Sequence, residues 1–156
     1  MFGKLTTEEI ENVLMQQIVG RLGCHAHGIT YVVPVSYAYD GRFIYGRSFE
    51  GLKISMMRND PKVCFQVDIM NNMADWQSVI AWGMYEELKQ PTERNEALVK
   101  LMDRRLPLLS SATTHLSPVW PFTPHDITEI KGIVFRILIT KKTGRFEKIT
   151  ATINDY

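Results

Sequence analysis

The run Ile29-Thr30-Tyr31-Val32-Val33-Pro34-Val35-Ser36-Tyr37-Ala38-Tyr39, followed at once by Asp40-Gly41, constrains the fold of this chain more than any other segment. Successive side chains of a strand point to opposite faces, so Tyr31, Val33, Val35, Tyr37 and Tyr39 share one face while Val32, Pro34, Ser36 and Ala38 share the other. One face is bulky; the other is small and partly polar. Asp-Gly is a two-residue hairpin signal whose twist matches that of paired strands, and it predicts that residues 42–46 return antiparallel against residues 35–39.

The rest of the chain adds strands and two substantial helices. Thr6-x-x-Glu9 is a capping box, and Ile10, Val13, Leu14 and Ile18 recur behind it at helical spacing, which predicts a helix ending near residues 20–23. Residues 22–25 read as a short strand, with Ala26-His27-Gly28 as the turn into residue 29. A short helix should end at Asn59-Asp60-Pro61. Val63, Phe65, Val67 and Ile69 then alternate along residues 62–69, and residues 76–87 form a further strand across an Asn71-Asn72 link. Pro91-Thr92-Glu93 opens a helix with Ala97, Leu98, Leu101 and Met102 on one stripe and Arg104-Arg105 at its C-terminal end. Residues 106–126 hold four prolines among apolar residues and read as an ordered connection. Residues 133–140 are a last clear strand, and Thr143-Gly144 is read as a turn. The expected class is mainly β with flanking helices, a closed or nearly closed antiparallel barrel, because a sheet with bulky inward residues removes its edges by curling.

A chain of 156 residues fits one domain and buries a real core. Eighteen basic and 17 acidic residues leave a formal charge of +1, which offers no broad footprint for nucleic acid or an anionic membrane and points to small ligands or protein partners. No stretch approaches the ~20 apolar residues of a membrane span, and the first residues lack the apolar core of a signal peptide, so a cytoplasmic protein is expected. Cys24 and Cys64 are too few for a disulfide framework and are expected to stay reduced. His25 and His27 share a strand face beside Cys24, but further ligands are not in sight, with His115 and His125 lying in the proline-rich connection; no metal is expected.

Residues 45–53, Tyr-Gly-Arg-Ser-Phe-Glu-Gly-Leu-Lys, carry the chemistry. They read as a strand leaving a hairpin through a polar, cationic turn into the short helix. Backbone N–H groups at the helix start, the Ser48 hydroxyl and the cations of Arg47 and Lys53 converge within a few residues, which is the make-up of an anion site.

Taken in order, Gly20-Arg21-Leu22-Gly23, Val32-Val33-Pro34-Val35-Ser36-Tyr37, Phe43-Ile44-Tyr45, Gly51-Leu52-Lys53, Asn59-Asp60-Pro61-Lys62-Val63-Cys64-Phe65 and Ser78-Val79-Ile80-Ala81-Trp82-Gly83 resemble the pyridoxamine 5′-phosphate oxidase-like FMN-binding split barrels. The branch resembled is that of the 5-nitroimidazole-resistance (Nim-type) flavoproteins. The resemblance implies a homodimer of six-stranded split barrels with FMN in the clefts between subunits. By position, Lys53 matches the family's phosphate-binding lysine, and Arg47 and Ser48 lie on the strand exit facing the phosphate. Pro34, Val35 and Ser36 match the strand beside the flavin ring, and Trp76, Gln77 and Ser78 match the strand reaching the ring edge. From the residues themselves, His25 and His27 are either a strand-end pair beside a turn or a group lining that cleft, and Trp120, between Pro118 and Pro121, is a candidate for the dimer interface or a lid.

The implied function is an FMN-dependent oxidoreductase acting on an electron-poor small molecule, with a nicotinamide nucleotide or another flavin donor as reductant and with no catalytic residue singled out. A non-catalytic flavin carrier or sensor is the alternative, as is a barrel holding haem or a deazaflavin. Nim-type proteins carry a histidine where this chain has Gly46-Arg47, which sets a nitroimidazole-reductase-like resistance protein behind the general reading. The basic C-terminal residues with which the true oxidases bind pyridoxamine phosphate have no counterpart here, so a vitamin B6 enzyme is not expected.

Overall fold

The computed structural model describes residues 1–104 and 127–149. Arg105, His115, Trp120, His125, the proline-rich connection and the last seven residues lie outside the described part. In chain order the elements are β1 (Phe2–Lys4), α1 (Thr7–Gln16), β2 (Val19–Ala26), β3 (Ile29–Tyr39), β4 (Phe43–Ser48), α2 (Leu52–Asn59), β5 (Lys62–Asn72), β6 (Asp75–Glu87), α3 (Pro91–Met102), a 3-10 turn (Ile127–Glu129) and β7 (Ile133–Glu147).

The sheet runs β1-β7-β4-β3-β2-β5-β6, and β6 pairs again with β7, so six antiparallel strands close into a ring with β1 added outside β7. This is the expected split barrel. The bulky face of β3 is the inner one: Val35 and Tyr37 are buried, and the Tyr37 ring meets Phe65 edge-on at 5.0 Å while its hydroxyl donates to Leu14 O at 2.7 Å. A smaller cluster of Ala38, Tyr45, Leu98, Leu101 and Val134 packs α3 onto the outside of β3, β4 and β7. No helix among the described residues is long and apolar enough to cross a membrane.

Four local expectations are corrected by tertiary contacts. Helix α1 stops at Gln16, before Ile18, because Ile18 O accepts the Tyr37 N–H at 2.9 Å and the chain is already joining the sheet; β2 accordingly starts at Val19. The β3–β4 hairpin is displaced by two residues, pairing Tyr37 with Gly46 and Tyr39 with Ile44. Asp40 causes this by accepting the N–H groups of Arg42 and Phe43 on Oδ1 at 2.9 and 2.8 Å, which makes Gly41-Arg42 the tip, with Gly41 at φ 95°. A shift of two preserves every side chain's face. Asn71 and Asn72 belong to β5, and the turn is Met73-Ala74, closed by the Ala74 N–H on Asn72 Oδ1 at 2.8 Å.

Finally, Thr143-Gly144 is not a turn. Strand β7 runs straight through it, paired to β6, and Gly144 lacks a Cβ where one would lie 2.8 Å from Leu5 and Ile10. The glycine marks where the chain's start packs down onto the strand.

Candidate functional site

Ring closure is incomplete between β3 and β4. They pair only through Tyr37–Tyr39 and Ile44–Gly46, whereas β3 pairs β2 along residues 29–36 and β4 pairs β7 along Phe43–Ser48. Below Tyr37 the two strands part, leaving a split. Tyr37 gives its N–H to the β2 side, so strand alternation turns the backbone of Ser36 and Pro34 toward the opening. Pro34 has no N–H to leave unpaired there.

Six of the nine residues singled out from sequence border this split. Pro34, Val35 and Ser36 form one lip, Arg47 and Ser48 the other, and Lys53 stands in the first turn of α2, which packs against β2. Their exposures differ. Pro34 is exposed, Ser36, Arg47 and Lys53 are half-buried, and Val35 and Ser48 are buried, with Val35 directed into the core. Ser48 donates its hydroxyl to Phe49 O at 3.0 Å.

Charge around the split is sorted by Arg58. It binds Glu50 through two hydrogen bonds of 2.8 and 2.9 Å and Glu87 through two more of the same lengths, so the neighbouring carboxylates are occupied. Lys53 has no carboxylate partner among the described residues. It acts on Cys24: burial raises that thiol's pKa, the Cys64 side chain adds to the rise, and the Lys53 charge opposes it. Helix α2 also starts at Gly51 without a side-chain cap, leaving its first N–H groups for an anion.

Arg47 donates from Nε to Lys131 O at 2.5 Å and lies over the Phe49 ring at 5.1 Å. Arg94 reaches the same 130–132 backbone, at 2.5 Å from Ile130 O and 3.4 Å from Gly132 O. Burial first, and then the Arg94 charge, pull the Arg47 pKa below the usual guanidinium value. Residue 132 has to be small, because a Cβ there would lie 2.9 Å from Ser48 O and the backbone has φ 103°.

Trp76, Gln77 and Ser78 are not brought to this split within one chain. They lie on β6, which is separated from the β3 lip by β2 and β5 and from the β4 lip by β7, where they pair with residues 145–147, beyond the 133–138 stretch that pairs β4. Trp76 donates its indole N–H to Glu147 Oε2 at 3.0 Å, and Ser78 Oγ accepts from Gln66 Nε2 at 3.0 Å. Between them and the split spreads an outer sheet face carrying Val32, Ile80, Trp82 and Met84, all exposed by more than a third of their surface. Aligned pairs such as Pro34↔Arg21↔Gln66↔Ile80 make this face continuous across four strands.

His25 is exposed and shares a 3.1 Å hydrogen bond with Thr30 Oγ1, and His27 occupies the hairpin tip at φ 52°. Cys24 and Cys64 are free thiols, and no group of three His, Cys, Asp or Glu among the described residues is placed to hold a metal ion. Sequence reasoning passed over Arg104 except as a helix end and missed Arg94. Neither signals its role locally, since Arg94 reaches Ile130 across 36 residues and Arg104, besides its helix-end bond to Leu101 O, reaches Ser36 across 68.

Comparison with known proteins agrees with this geometry. The sequence profile of the family described as pyridoxamine 5′-phosphate oxidase matches residues 6–146. An uncharacterized protein of Rhizobium meliloti (strain 1021) is 36% identical over 84 residues, 54% of this chain, and the match spans 56% of that relative's length. Among solved structures, a FAD-binding protein from Mesorhizobium loti is 32% identical with a TM-score of 0.70, covering 95% of this chain and 99% of its own. A candidate 5-nitroimidazole antibiotic resistance protein from Bacteroides thetaiotaomicron superposes at TM-score 0.71 with 18% identity, covering 94% and 87%. The FAD-binding protein of Mycobacterium smegmatis does so at 0.66 with 20% identity, covering 95% and 100%. Six strands closed with one split, and a profile match across nearly the whole chain, place this protein in the pyridoxamine 5′-phosphate oxidase family.

Proposed function

We propose that this chain is a flavoprotein that seats FMN at the split between β3 and β4 and serves as an oxidoreductase for a small molecule. The observation that carries the reading is Lys53: a half-buried ammonium without a carboxylate partner among the described residues, at an uncapped helix start beside the split. Arg58 supports it by holding Glu50 and Glu87 away from an incoming phosphate. Hydrogen bonds to charged groups contribute about 1.5–3 kcal/mol each, so Arg47, Ser48 and Lys53 together supply on the order of 5 kcal/mol. Micromolar binding needs about 8 kcal/mol, so a buried ring must provide the rest.

That burial calls for a second copy. Trp76, Gln77 and Ser78 stand too far from the split of their own chain to close over it, but a partner protomer docked on the outer face, at its exposed Val32, Ile80, Trp82 and Met84, would bring its own set there. The homodimer and the cofactor are thus one proposal. Val35 faces the core with its side chain and β2 with its backbone, so it shapes the lip without presenting a polar group to this site. A bound flavin would supply the transfer of electron pairs; Pro34 and Ser36 would flank its ring, the partner protomer's β6 residues would exclude water at its edge, and a nicotinamide nucleotide or another flavin donor would be the reductant.

A second reading, FAD in place of FMN, is favoured by the 32% identical relative described as FAD-binding. Purified protein should be yellow, and chromatography of acid-released cofactor distinguishes FMN from FAD. Lys53→Ala should weaken flavin retention by about ten- to a hundredfold, the loss of one charged hydrogen bond. Colourless protein that takes up neither cofactor removes the flavin reading. Oxidation of reduced nicotinamide only when an acceptor is added separates an oxidoreductase from a carrier or sensor.

A further inference from the structure

Ser36 joins the split to a second space. A cavity of about 420 Å³ opens over the outside of β3, between the C-terminal ends of α1 and α3, with Met15, Ile18, Tyr39, Lys100 and Arg104 in its walls. Arg104, just beyond α3, donates from Nε to Leu101 O at 2.7 Å and from Nη1 to Ser36 Oγ and to Tyr37 O at 3.4 Å. These acceptors are all uncharged. No carboxylate pairs with Arg104 among the described residues, and its Nη2 has no acceptor there.

The contrast with the other arginines is informative. Arg58 and Arg136, both near the surface, each hold two carboxylates. Arg104 is drawn inward, further than Arg47, and burial alone pushes its pKa down to about 10. A cation taken out of water without a counter-ion is costly, and the cost is relieved when an anion arrives.

The remaining charges on the lining are engaged or peripheral. Asp40 accepts the N–H groups of Arg42 and Phe43 on Oδ1 and the Tyr45 hydroxyl on Oδ2, which also lies 3.7 Å from Lys100 Nζ. Asp103 is exposed. Arg104 is therefore the group with unused capacity.

We infer that this cavity is the substrate subsite of the flavin site and takes a small molecule bearing a carboxylate, anchored by Arg104. The inference rests on the flavin reading and names its substrate class. The volume falls within the range of small-molecule sites, and the walls supply apolar surface for the body of such a ligand. One open nitrogen, Nη2, carrying a single positive charge, suits a monoanion such as a carboxylate. The Ser36 contact places that anchor at the lip of the split, where a bound molecule would meet the ring.

The test uses the full chain, as purified and after flavin loading, titrated with benzoate and with its neutral analogue benzamide while amide shifts are followed by NMR. Benzoate should bind at least tenfold more tightly, shifting the signals of Tyr39, Asp103 and the Arg104 side-chain N–H. Arg104→Gln should abolish the preference, Arg104→Lys should keep part of it, and Lys89→Gln, before the opposite end of α3, should leave it. Equal binding of the two probes, shifts away from Arg104, or a preference that survives Arg104→Gln overturns the inference. Should Arg104→Gln fail to fold, the wild-type shifts and the part of the preference kept by Arg104→Lys decide. Protein that takes up no flavin yet prefers benzoate keeps the cavity assignment and removes the flavin reading.

Discussion

Lys53 and Arg58 belong to the same eight-residue helix, yet their surroundings give them different roles. Arg58 is saturated by two carboxylates, and Lys53 is left to the split. Three tyrosines show how burial fixes a titration at this scale. Burial raises the phenol pKa of Tyr37, Tyr45 and Tyr85, with Asp40 adding to the rise at Tyr45 and the Glu87 charge at Tyr85. Unfolded tyrosine titrates near pH ~10, so above that the unfolded chain releases protons the folded chain keeps, and stability falls. Below it this contribution is complete. Urea unfolding should therefore show a lower midpoint at pH 10.5 than at pH 8, and the decline should be shallower in Tyr37→Phe. A flat profile would mean these phenols reach water in the fold. Gly83 supplies a steric counterpart. Its Cβ would lie 2.3 Å from the Leu138 carbonyl oxygen, so Gly83→Ala should cost roughly 1–3 kcal/mol in denaturant unfolding.

At the scale of elements, what was legible depended on whether the signal was local. The capping box of α1 forms as read, with the Glu9 N–H on Thr6 Oγ1 at 3.2 Å and the Thr6 N–H on Glu9 Oε2 at 2.7 Å. Thr6→Ala should cost about 1 kcal/mol in thermal unfolding, and no change would show the helix held by packing alone. The alternation in β3 and the apolar stripe of α3 were equally legible, since each reports a period that one buried face imposes. Thr143-Gly144 misled for the converse reason. Its composition is that of a turn, but pairing on both flanks of β7 overrides local preference and the glycine serves packing. The displaced β3–β4 register has a similar origin, because the Asp40 side chain competes for backbone N–H groups that the Asp-Gly rule assigns elsewhere.

For the whole molecule, the proposed dimer turns on the outer face of β3, β2, β5 and β6. Ile80→Glu and Trp82→Glu place charge in the middle of that face, so each should convert a dimer to a monomer in light scattering and lower flavin retention with it. A monomeric wild-type chain that binds flavin firmly would sink the shared-site proposal. Part of the candidate site was legible from order along the chain: Arg47, Ser48 and Lys53 are within seven residues, and their chemistry is that of an anion site. Arg104 was not legible, because its meaning lies in a contact with Ser36 across 68 residues and in the lack of a carboxylate partner among the described residues. Periodicity, caps and turn residues, all read within a few positions, were enough to determine a mainly β chain with inward tyrosines. Where the ring stays open, and that Lys53 beside that opening has no carboxylate partner among the described residues, was decided by tertiary structure, since pairing and burial join residues that no local pattern connects.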